Sequence, residues 1–321
     1  MNEEETQQAE LAKQNDPQNK GFKAGFATIL GEPNAGKSTL LNVLLGEKIS
    51  IVTPKPQTTR KRVLGIFTDK SCQIVLLDTP GIMKPKYKLH EAMLDLADKS
   101  VEDSDVLVLL LDVEKYQKGK AELKADLAFQ RIANTKKPVI LVLNKVDLIT
   151  KDASLELIAK FSSEYPFREI VPLSALKGYN IREFLKAVVP YLPASPPLYP
   201  PDILSTAPER FFVSEIIREK IFQFFSQEIP YSTEVDVEEF QENYEKNPAR
   251  KDVLRCAIVV DRLSQKSILI GKDGKAIKRV GQAARKDIEA FLGRPVFLEL
   301  FVKVKEGWRE KESSLRDFGY K

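Results

Sequence analysis

The chain has 321 residues, 43% hydrophobic and 30% charged, with a net charge of +4. This is an ordinary globular composition, long enough for about two domains. Two cysteines far apart in sequence (Cys72 and Cys256) and a single histidine (His90) exclude a disulfide framework and a histidine-rich zinc site, and they argue against Ser-His-Asp catalysis.

Both cysteines lie in apolar, strand-like runs and read as reduced core residues of a cytosolic protein. His90 reads as a surface or helix-start residue. The longest apolar run, Val106 to Leu111, is too short to span a bilayer. Residues 1–21 are polar without an apolar core; they are no signal peptide, and a disordered tail is expected there.

The first ordered element is a strand. Phe26-Ala27-Thr28-Ile29-Leu30 is apolar and partly β-branched, Gly31-Glu32-Pro33-Asn34-Ala35-Gly36-Lys37-Ser38 follows it, and Thr39 to Leu45 has helical character. Strand, glycine loop and helix is the setting in which this spacing cradles phosphates. Gly31 and Gly36 let successive backbone N–H groups turn toward phosphate oxygens. Lys37 can place its ammonium on the β- and γ-phosphates, and Ser38 can offer a hydroxyl to magnesium. The helix start, at Thr39, adds its positive end.

Pro54-Lys55-Pro56-Gln57-Thr58-Thr59-Arg60 comes next. A threonine here can complete a magnesium shell when a γ-phosphate is present. Thr59 is the first candidate and Thr58 the second, and the loop would order with GTP and loosen with GDP. Asp78-Thr79-Pro80-Gly81 ends the apolar run Ile74 to Leu77. Its aspartate can hold the magnesium shell, and Gly81 can bring its N–H to the γ-phosphate. The following residue, Ile82, cannot orient a water molecule by hydrogen bonding. Hydrolysis is therefore expected to need added charge, and Asn34 is a candidate ligand for a potassium ion beside the phosphates. Catalysis is assigned to Lys37, Asn34, Thr59 and Gly81, through position and charge, with no side-chain base.

Val106 to Leu111 and Val139 to Leu143 are continuous apolar runs, as parallel strands covered on both faces are. Helical patterns around Leu89 to Ser100, Ala121 to Ile132 and Ala153 to Phe161 separate the strands. The expectation is a doubly wound α/β domain with its chemistry at the carboxyl ends of the strands. Asn144-Lys145-Val146-Asp147 follows one such strand. Guanine presents N1–H and N2–H2 as adjacent donors, which one carboxylate, Asp147, can accept together; adenine lacks the pair. Asn144 can brace the loops, and the Lys145 stem can lie along the base. Ser174-Ala175-Leu176 follows Ile170-Val171, where the Ala175 N–H can meet guanine O6.

Pro190 to Pro201 holds too many prolines for a helix or central strand and reads as an extended linker. The expected domains are 22–189 and 205–321, joined by 190–204. After the linker, the expected order is a helix (Val213 to Phe225), two strands (Ser232 to Phe240, Val253 to Arg262), a helical stretch from Lys266 to Phe291 with a glycine break, and a last strand (Pro295 to Val304). That makes a smaller α+β domain. The break, Ile270-Gly271-Lys272-Asp273-Gly274-Lys275, is a G-x-x-G loop that lets a nucleic-acid backbone approach, with Lys272, Lys275, Lys278 and Arg279 facing phosphate. Arg285 and Lys286 continue the basic surface. From Arg250 onward eighteen Lys and Arg stand against ten Asp and Glu, whereas Ser205 to Ala249 has four against ten. A basic end hidden in a near-neutral total is the footprint of nucleic-acid binding. Ile268, Ile270 and Ile277 are candidates for a base groove or for core, with core favoured for Ile277.

Glu32-Pro33-Asn34-Ala35-Gly36-Lys37-Ser38, Gln57-Thr58-Thr59-Arg60, Asp78-Thr79-Pro80-Gly81-Ile82 and Asn144-Lys145-Val146-Asp147 together resemble the Era GTPases. These belong to a group in which the isoleucine after the glycine is normal. The second domain resembles a type II KH domain, and Val302 to Arg309 resembles the Era ending. The resemblance covers nearly everything from Phe22 on. It implies a GTPase using GTP, GDP and magnesium that binds the single-stranded 3′ end of small-subunit ribosomal RNA and assists small-subunit assembly. It further implies a cytoplasmic monomer, with a peripheral association to the inner membrane. A signalling or peripheral-membrane GTPase whose second domain binds protein, through the acidic stretch Glu234 to Glu245, is the alternative.

Overall fold

The computed structural model describes residues 21–117 and 121–320. The tail expected before residue 21 otherwise lies outside them. The described chain divides into two units: the first takes the residues up to Ser50, Thr59–Lys84 and Leu94–Thr206, the second Ile51–Thr58, Pro85–Met93 and the residues from Ala207 on.

In the first unit, β1 (Lys23–Leu30) leads through the phosphate loop into α1 (Lys37–Leu45), followed by β2 (Val63–Thr68) and β3 (Cys72–Asp78). Then come α2 (Lys88–Asp103), of which the part from Leu94 on belongs to this unit, β4 (Val106–Asp112), the short α3 (Val113–Tyr116), α4 (Leu127–Ile132) and β5 (Val139–Asn144). α5 (Lys151–Glu164), β6 (Glu169–Leu173) and α6 (Ile181–Val188) complete it. The strands order β2-β3-β1-β4-β5-β6, all parallel except β2, which runs antiparallel to β3. Every residue of β3, β4 and β5 is buried, as expected for strands covered on both faces.

Sequence periodicity missed β2. Its run Val-Leu-Gly-Ile-Phe-Thr is interrupted by Gly65, which packing explains: a Cβ there would lie 2.6 Å from Leu41 Cδ1. The expected helix from Ala121 to Ile132 is instead a 3₁₀ turn over Leu123–Ala125 and then α4. Asp126 makes the break: its carboxylate accepts from the N–H groups of Ala128 and Phe129 at 2.8 and 2.9 Å, capping a new helix.

The proline-rich stretch is held along the first unit. The Gln73 side chain, fully buried, accepts from the N–H groups of Leu198 and Tyr199 at 2.7 and 2.9 Å and donates to the Tyr199 carbonyl at 2.8 Å. Leu204 accepts from the Ile66 N–H at 2.8 Å on the outer edge of β2. Prolines cannot form a ladder of their own, and here a buried amide side chain takes over that pairing.

The second unit contains α7 (Glu209–Phe224), the short α8 (Ile229–Ser232), β7 (Glu234–Gln241), β8 (Asp252–Val260), α9 (Leu263–Ile270), α10 (Lys275–Leu292), β9 (Val296–Val304) and α11 (Glu312–Asp317). Its sheet orders β7-β8-β9, with β7 antiparallel and β9 parallel to β8. α7 packs against both α10 and β7, and Val213, Ile217, Leu254, Cys256, Val280 and Ile288 form the core between helices and sheet. The buried indole of Trp308 donates to the Ser232 carbonyl at 2.9 Å. Both cysteines are buried; burial raises the two thiols, that of Cys256 to about 12.

Candidate functional site

The phosphate loop joins the end of β1 to the start of α1. Gly36 has φ 105° and Asn34 φ 64°, so the loop needs left-handed backbone at both. A Cβ on Gly31 would lie 2.4 Å from the Leu110 carbonyl oxygen. Lys37 is buried, its Nζ donating to the carbonyls of Gly31 and Glu32 at 3.0 Å each. Burial pulls its ammonium down to about 8, against the raising effect of Asp78; an adjacent phosphate would favour the charged form. Glu32 is ion-paired with Lys115 at the start of the loop.

Opposite Lys37 stands Asp78, at the end of β3. Its Oδ2 accepts from Ser38 at 2.7 Å, Ser50 at 2.9 Å and Thr59 at 3.4 Å, and Ser38 and Thr59 lie 2.8 Å apart, hydroxyl to hydroxyl. Asp78 Oδ1 is buried with no hydrogen-bond partner. Burial raises this carboxyl, opposed by Lys37 and the three hydroxyls. One carboxylate oxygen without a partner beside two hydroxyls is a hard-oxygen donor set, which fits magnesium and its water shell. Among the described residues there is no cluster of three His, Cys, Asp or Glu side chains that could hold a metal ion by itself.

Of the two candidate threonines, Thr59 comes to this corner. Thr58 turns elsewhere, its hydroxyl 2.8 Å from that of Thr53 and donating to the Lys55 carbonyl at 2.8 Å. Ser50 was not found by sequence reasoning, because it stands in a run, Lys48-Ile49-Ser50-Ile51, that carries no motif.

The Asp-Thr-Pro-Gly turn closes against the phosphate loop. Thr79 is wholly buried and donates to the Ile29 carbonyl at 2.8 Å, and Pro80 is buried beside it. A Cβ on Gly81 would come within 2.8 Å of Pro33. The Ile82 N–H donates to the Gly31 carbonyl at 3.1 Å, while its side chain joins the hydrophobic core at 2% exposure. Ile82 therefore serves packing.

At the other end of the site, buried Asn144 links two loops: its Nδ2 donates to the Ala35 carbonyl at 2.7 Å, and its Oδ1 accepts from the Ala175 N–H at 3.0 Å. The Ala175 N–H, expected at guanine O6, is engaged by Asn144, and a base would have to share it. Lys145 has φ 70°, and its Nζ donates to Asp112 at 2.5 Å. Asp147 and Leu176 are exposed, Ser174 is buried, and a cavity of about 530 Å³ reaches from Asp147 and Ser174 toward Ile158 and Tyr179.

In the second unit, the G-x-x-G loop joins α9 to α10. Gly271, Asp273 and Gly274 have φ of 72°, 52° and 71°, and Lys272, Lys275 and Lys278 are exposed along it. Ile270 and Ile277 pack on the core, whereas Ile268 is half exposed. Arg279 is partly engaged: its guanidinium lies 4.4 Å over the Phe224 ring and donates to the Phe224 carbonyl at 3.3 Å.

Three carboxylates of the acidic stretch are taken up internally, Glu238 by Lys303, Glu239 by Arg255 and Glu234 by the Tyr320 hydroxyl. That weakens the case for an acidic docking face.

His90, expected on a surface or at a helix start, is at a helix start but buried. Its Nδ1 accepts from the Lys86 N–H at 3.2 Å, so Nε2 carries the proton and donates to Gln57 at 3.1 Å. Its ring stacks on Tyr87 at 3.8 Å, and Arg309 covers the other ring at 4.8 Å. Lys55 donates to the Phe222 and Phe225 carbonyls at the end of α7, and Arg218 donates to the Thr58 carbonyl.

A sheet that gathers a phosphate loop, an aspartate–hydroxyl corner and an Asn-Lys-Val-Asp loop at the carboxyl ends of its strands is that of a P-loop GTPase; the second unit has the helix and strand order of a KH domain. A family model of 50S ribosome-binding GTPases matches residues 26–145, and one of KH domains matches 228–309. The GTPase Era of Geotalea uraniireducens is 46% identical over 301 residues, covering 94% of this chain and 99% of that protein. That of Geotalea daltonii is 44% identical over 302 residues, covering 93% and 98%.

The chain belongs to the Era family of GTPases, and as a member it is a GTP-hydrolysing enzyme. Two crystal structures match it over 93% of its length and 99% of theirs. One is an Aquifex aeolicus Era variant bound to GDP and aluminium fluoride, 41% identical with a TM-score of 0.85. The other is an Era in complex with MgGDPNP and nucleotides 1506–1542 of 16S ribosomal RNA, 42% identical with a TM-score of 0.86.

Proposed function

We propose that this chain couples GTP hydrolysis to binding of the single-stranded 3′ end of small-subunit ribosomal RNA, and so assists assembly of the small ribosomal subunit. What carries the reading is that both modules lie on one chain matching Era proteins along nearly their whole length, one of them seen with MgGDPNP and ribosomal RNA.

In this reading Gly31 to Thr39 hold the phosphates, and Lys37 leaves its two loop carbonyls to neutralise them. Magnesium, held by Ser38, Thr59 and Asp78, supplies charge to the β- and γ-phosphates. Gly81 presents its N–H to the γ-phosphate. Asn34, exposed on the loop, carries the amide oxygen that would hold a potassium ion. Such an ion would supply positive charge beside the phosphates, where Ile82 offers no polar group. Asp147 accepts both guanine donors, Asn144 braces the loops beside the base edge, the Lys145 stem lies along the base face, and Ser174 to Leu176 close beside it. In the KH domain Gly271 and Gly274 admit the RNA backbone, Lys272, Lys275, Lys278 and Arg279 meet its phosphates, and Ile270 with Ile268 borders the bases.

GTP favours the RNA-bound state and hydrolysis favours release. We place the protein in the cytoplasm as a monomer, with a peripheral contact to the inner membrane as a further expectation of the family. No helix among the described residues is long and apolar enough to cross a membrane.

The test is GTP turnover with and without an RNA matching the small-subunit 3′ end, in potassium and in sodium buffer. Stimulation by that RNA, lost in Gly274→Asp, is the expected result. Turnover indifferent to RNA would move the reading to a protein partner. Equal rates in potassium and sodium would remove the role given to Asn34.

A further inference from the structure

Three hydroxyls converge on one oxygen of Asp78, and they are not equivalent. Those of Ser38 and Thr59 lie 2.8 Å from each other at the corner where magnesium fits. Both oxygens are needed as metal ligands, and Thr59 belongs to the loop expected to loosen when the γ-phosphate is gone. Ser50 stands on the other side of the carboxylate. It is 3% exposed, and its hydroxyl donates to Asp78 Oδ2 at 2.9 Å.

The backbone of Ser50 cannot swing away. Asn42, one turn beyond Ser38 on α1, donates from Nδ2 to the Ser50 carbonyl at 2.7 Å. Its Oδ1 accepts from the Ser50 N–H at 2.8 Å and from the Ile49 N–H at 3.0 Å. A single amide side chain thus fixes Ser50 to the helix that carries the phosphate loop. Ser50 in turn ties that helix to the end of β3.

We propose that Ser50 is a positioning residue for the magnesium site, holding the Asp78 carboxylate so that its other oxygen, which has no protein partner, faces the metal's water shell. Ser50 does not ligate the metal; it acts through Asp78, and Asn42 acts through Ser50. Outer partners that orient the groups around a metal set its affinity, commonly by tenfold or more. Because Ser50 is locked to α1, its bond to Asp78 does not depend on the state of the Thr59 loop. The carboxylate therefore stays oriented in the GDP state, after Thr59 has left. The inference rests on Asp78 serving magnesium, as in the reading above.

The experiment measures release of a fluorescent GDP from the full-length chain across a magnesium titration, starting from excess EDTA. In Ser50→Ala the magnesium concentration that half-maximally slows release should rise about tenfold, while release in EDTA stays at the wild-type rate. Ser50→Thr, which restores the hydroxyl, should return the midpoint toward wild type. A midpoint unchanged in Ser50→Ala overturns the inference. So does faster release of equal size with and without magnesium, which marks a general loosening of the loop. If release from the wild type ignores magnesium, the assignment of Asp78 itself fails, and the role of Ser50 fails with it.

Discussion

Gly36 leaves no room for a side chain opposite Asn144: a Cβ built on it would lie 2.2 Å from the Asn144 amide nitrogen. That nitrogen donates to the Ala35 carbonyl, so the glycine makes space for the bond joining the phosphate loop to the base loop. Gly36→Ala would break this bond and strain a residue at φ 105°. The two costs together are about 3 kcal/mol, or about a hundredfold in nucleotide affinity. Titration with a fluorescent GDP checks it; an affinity within a factor of three of wild type would refute it.

Asp147 is exposed and its carboxylate can take two adjacent donors. Asp147→Asn replaces one acceptor by a donor and leaves a guanine N–H facing N–H. GTP affinity should fall by about a thousandfold or more, since a site built on paired hydrogen bonds rejects a mismatched partner strongly. Xanthosine triphosphate, with a carbonyl in place of the guanine amine, should gain. Competition between the two nucleotides on the variant reads both changes.

The two loop glycines of the KH domain should behave differently. A Cβ on Gly271 would lie 2.6 Å from Ala276 Cβ, whereas one on Gly274 meets nothing within 4 Å. Gly271→Ala should cost about 2 kcal/mol of stability through overpacking and backbone strain. Gly274→Asp should keep the fold, because Asp tolerates left-handed backbone, and lose RNA through its charge. Thermal melting and RNA titration separate the two outcomes. Equal melting temperatures for both variants would contradict the packing difference.

Asp252 should make the stability of the second unit depend on acid. It is wholly buried, accepting from Arg294 Nε at 2.6 Å and from the N–H groups of Asn243 and Tyr244 at 2.8 Å each. Burial alone would raise its carboxyl, but Arg294 and the two N–H groups outweigh it and hold the pKa below the usual range. A depressed folded pKa means the stabilisation is present above the unfolded value of about 3.9 and is lost as pH falls through the folded value. Asp252→Ala should be destabilised by about 3 kcal/mol at neutral pH. The gap to wild type should narrow below about pH 4. Denaturant melts at pH 7 and pH 3 give the comparison.

Much of this protein was legible from spacing. The strand before Gly31, the apolar runs that became β3, β4 and β5, and the three motifs at the ends of the strand before Gly31, β3 and β5 need only local chemistry: glycine where the backbone must turn, β-branched and aliphatic residues where both sheet faces are covered. The KH elements were legible for the same reason, down to the glycine break between α9 and α10.

Other features depend on residues distant in sequence. β2 is an edge strand whose glycine is demanded by Leu41, and no pattern within its six residues shows that. The proline-rich stretch reads as a linker because prolines lack N–H groups; that it lies along the first unit depends on Gln73, more than a hundred residues away. Thr58 and Thr59 are chemically identical, and only the path of the backbone brings Thr59 to Ser38 and Asp78.

Ser50 is the clearest case. A serine before an apolar residue has no motif, yet Asn42 and Asp78 make it part of the site. The order of residues determines which chemical groups exist and which elements they ride on, because propensity and periodicity act over a few positions. Which groups share an oxygen is decided by tertiary packing, since hydrogen bonds depend on distances that the chain sets only once the sheet and its helices have closed.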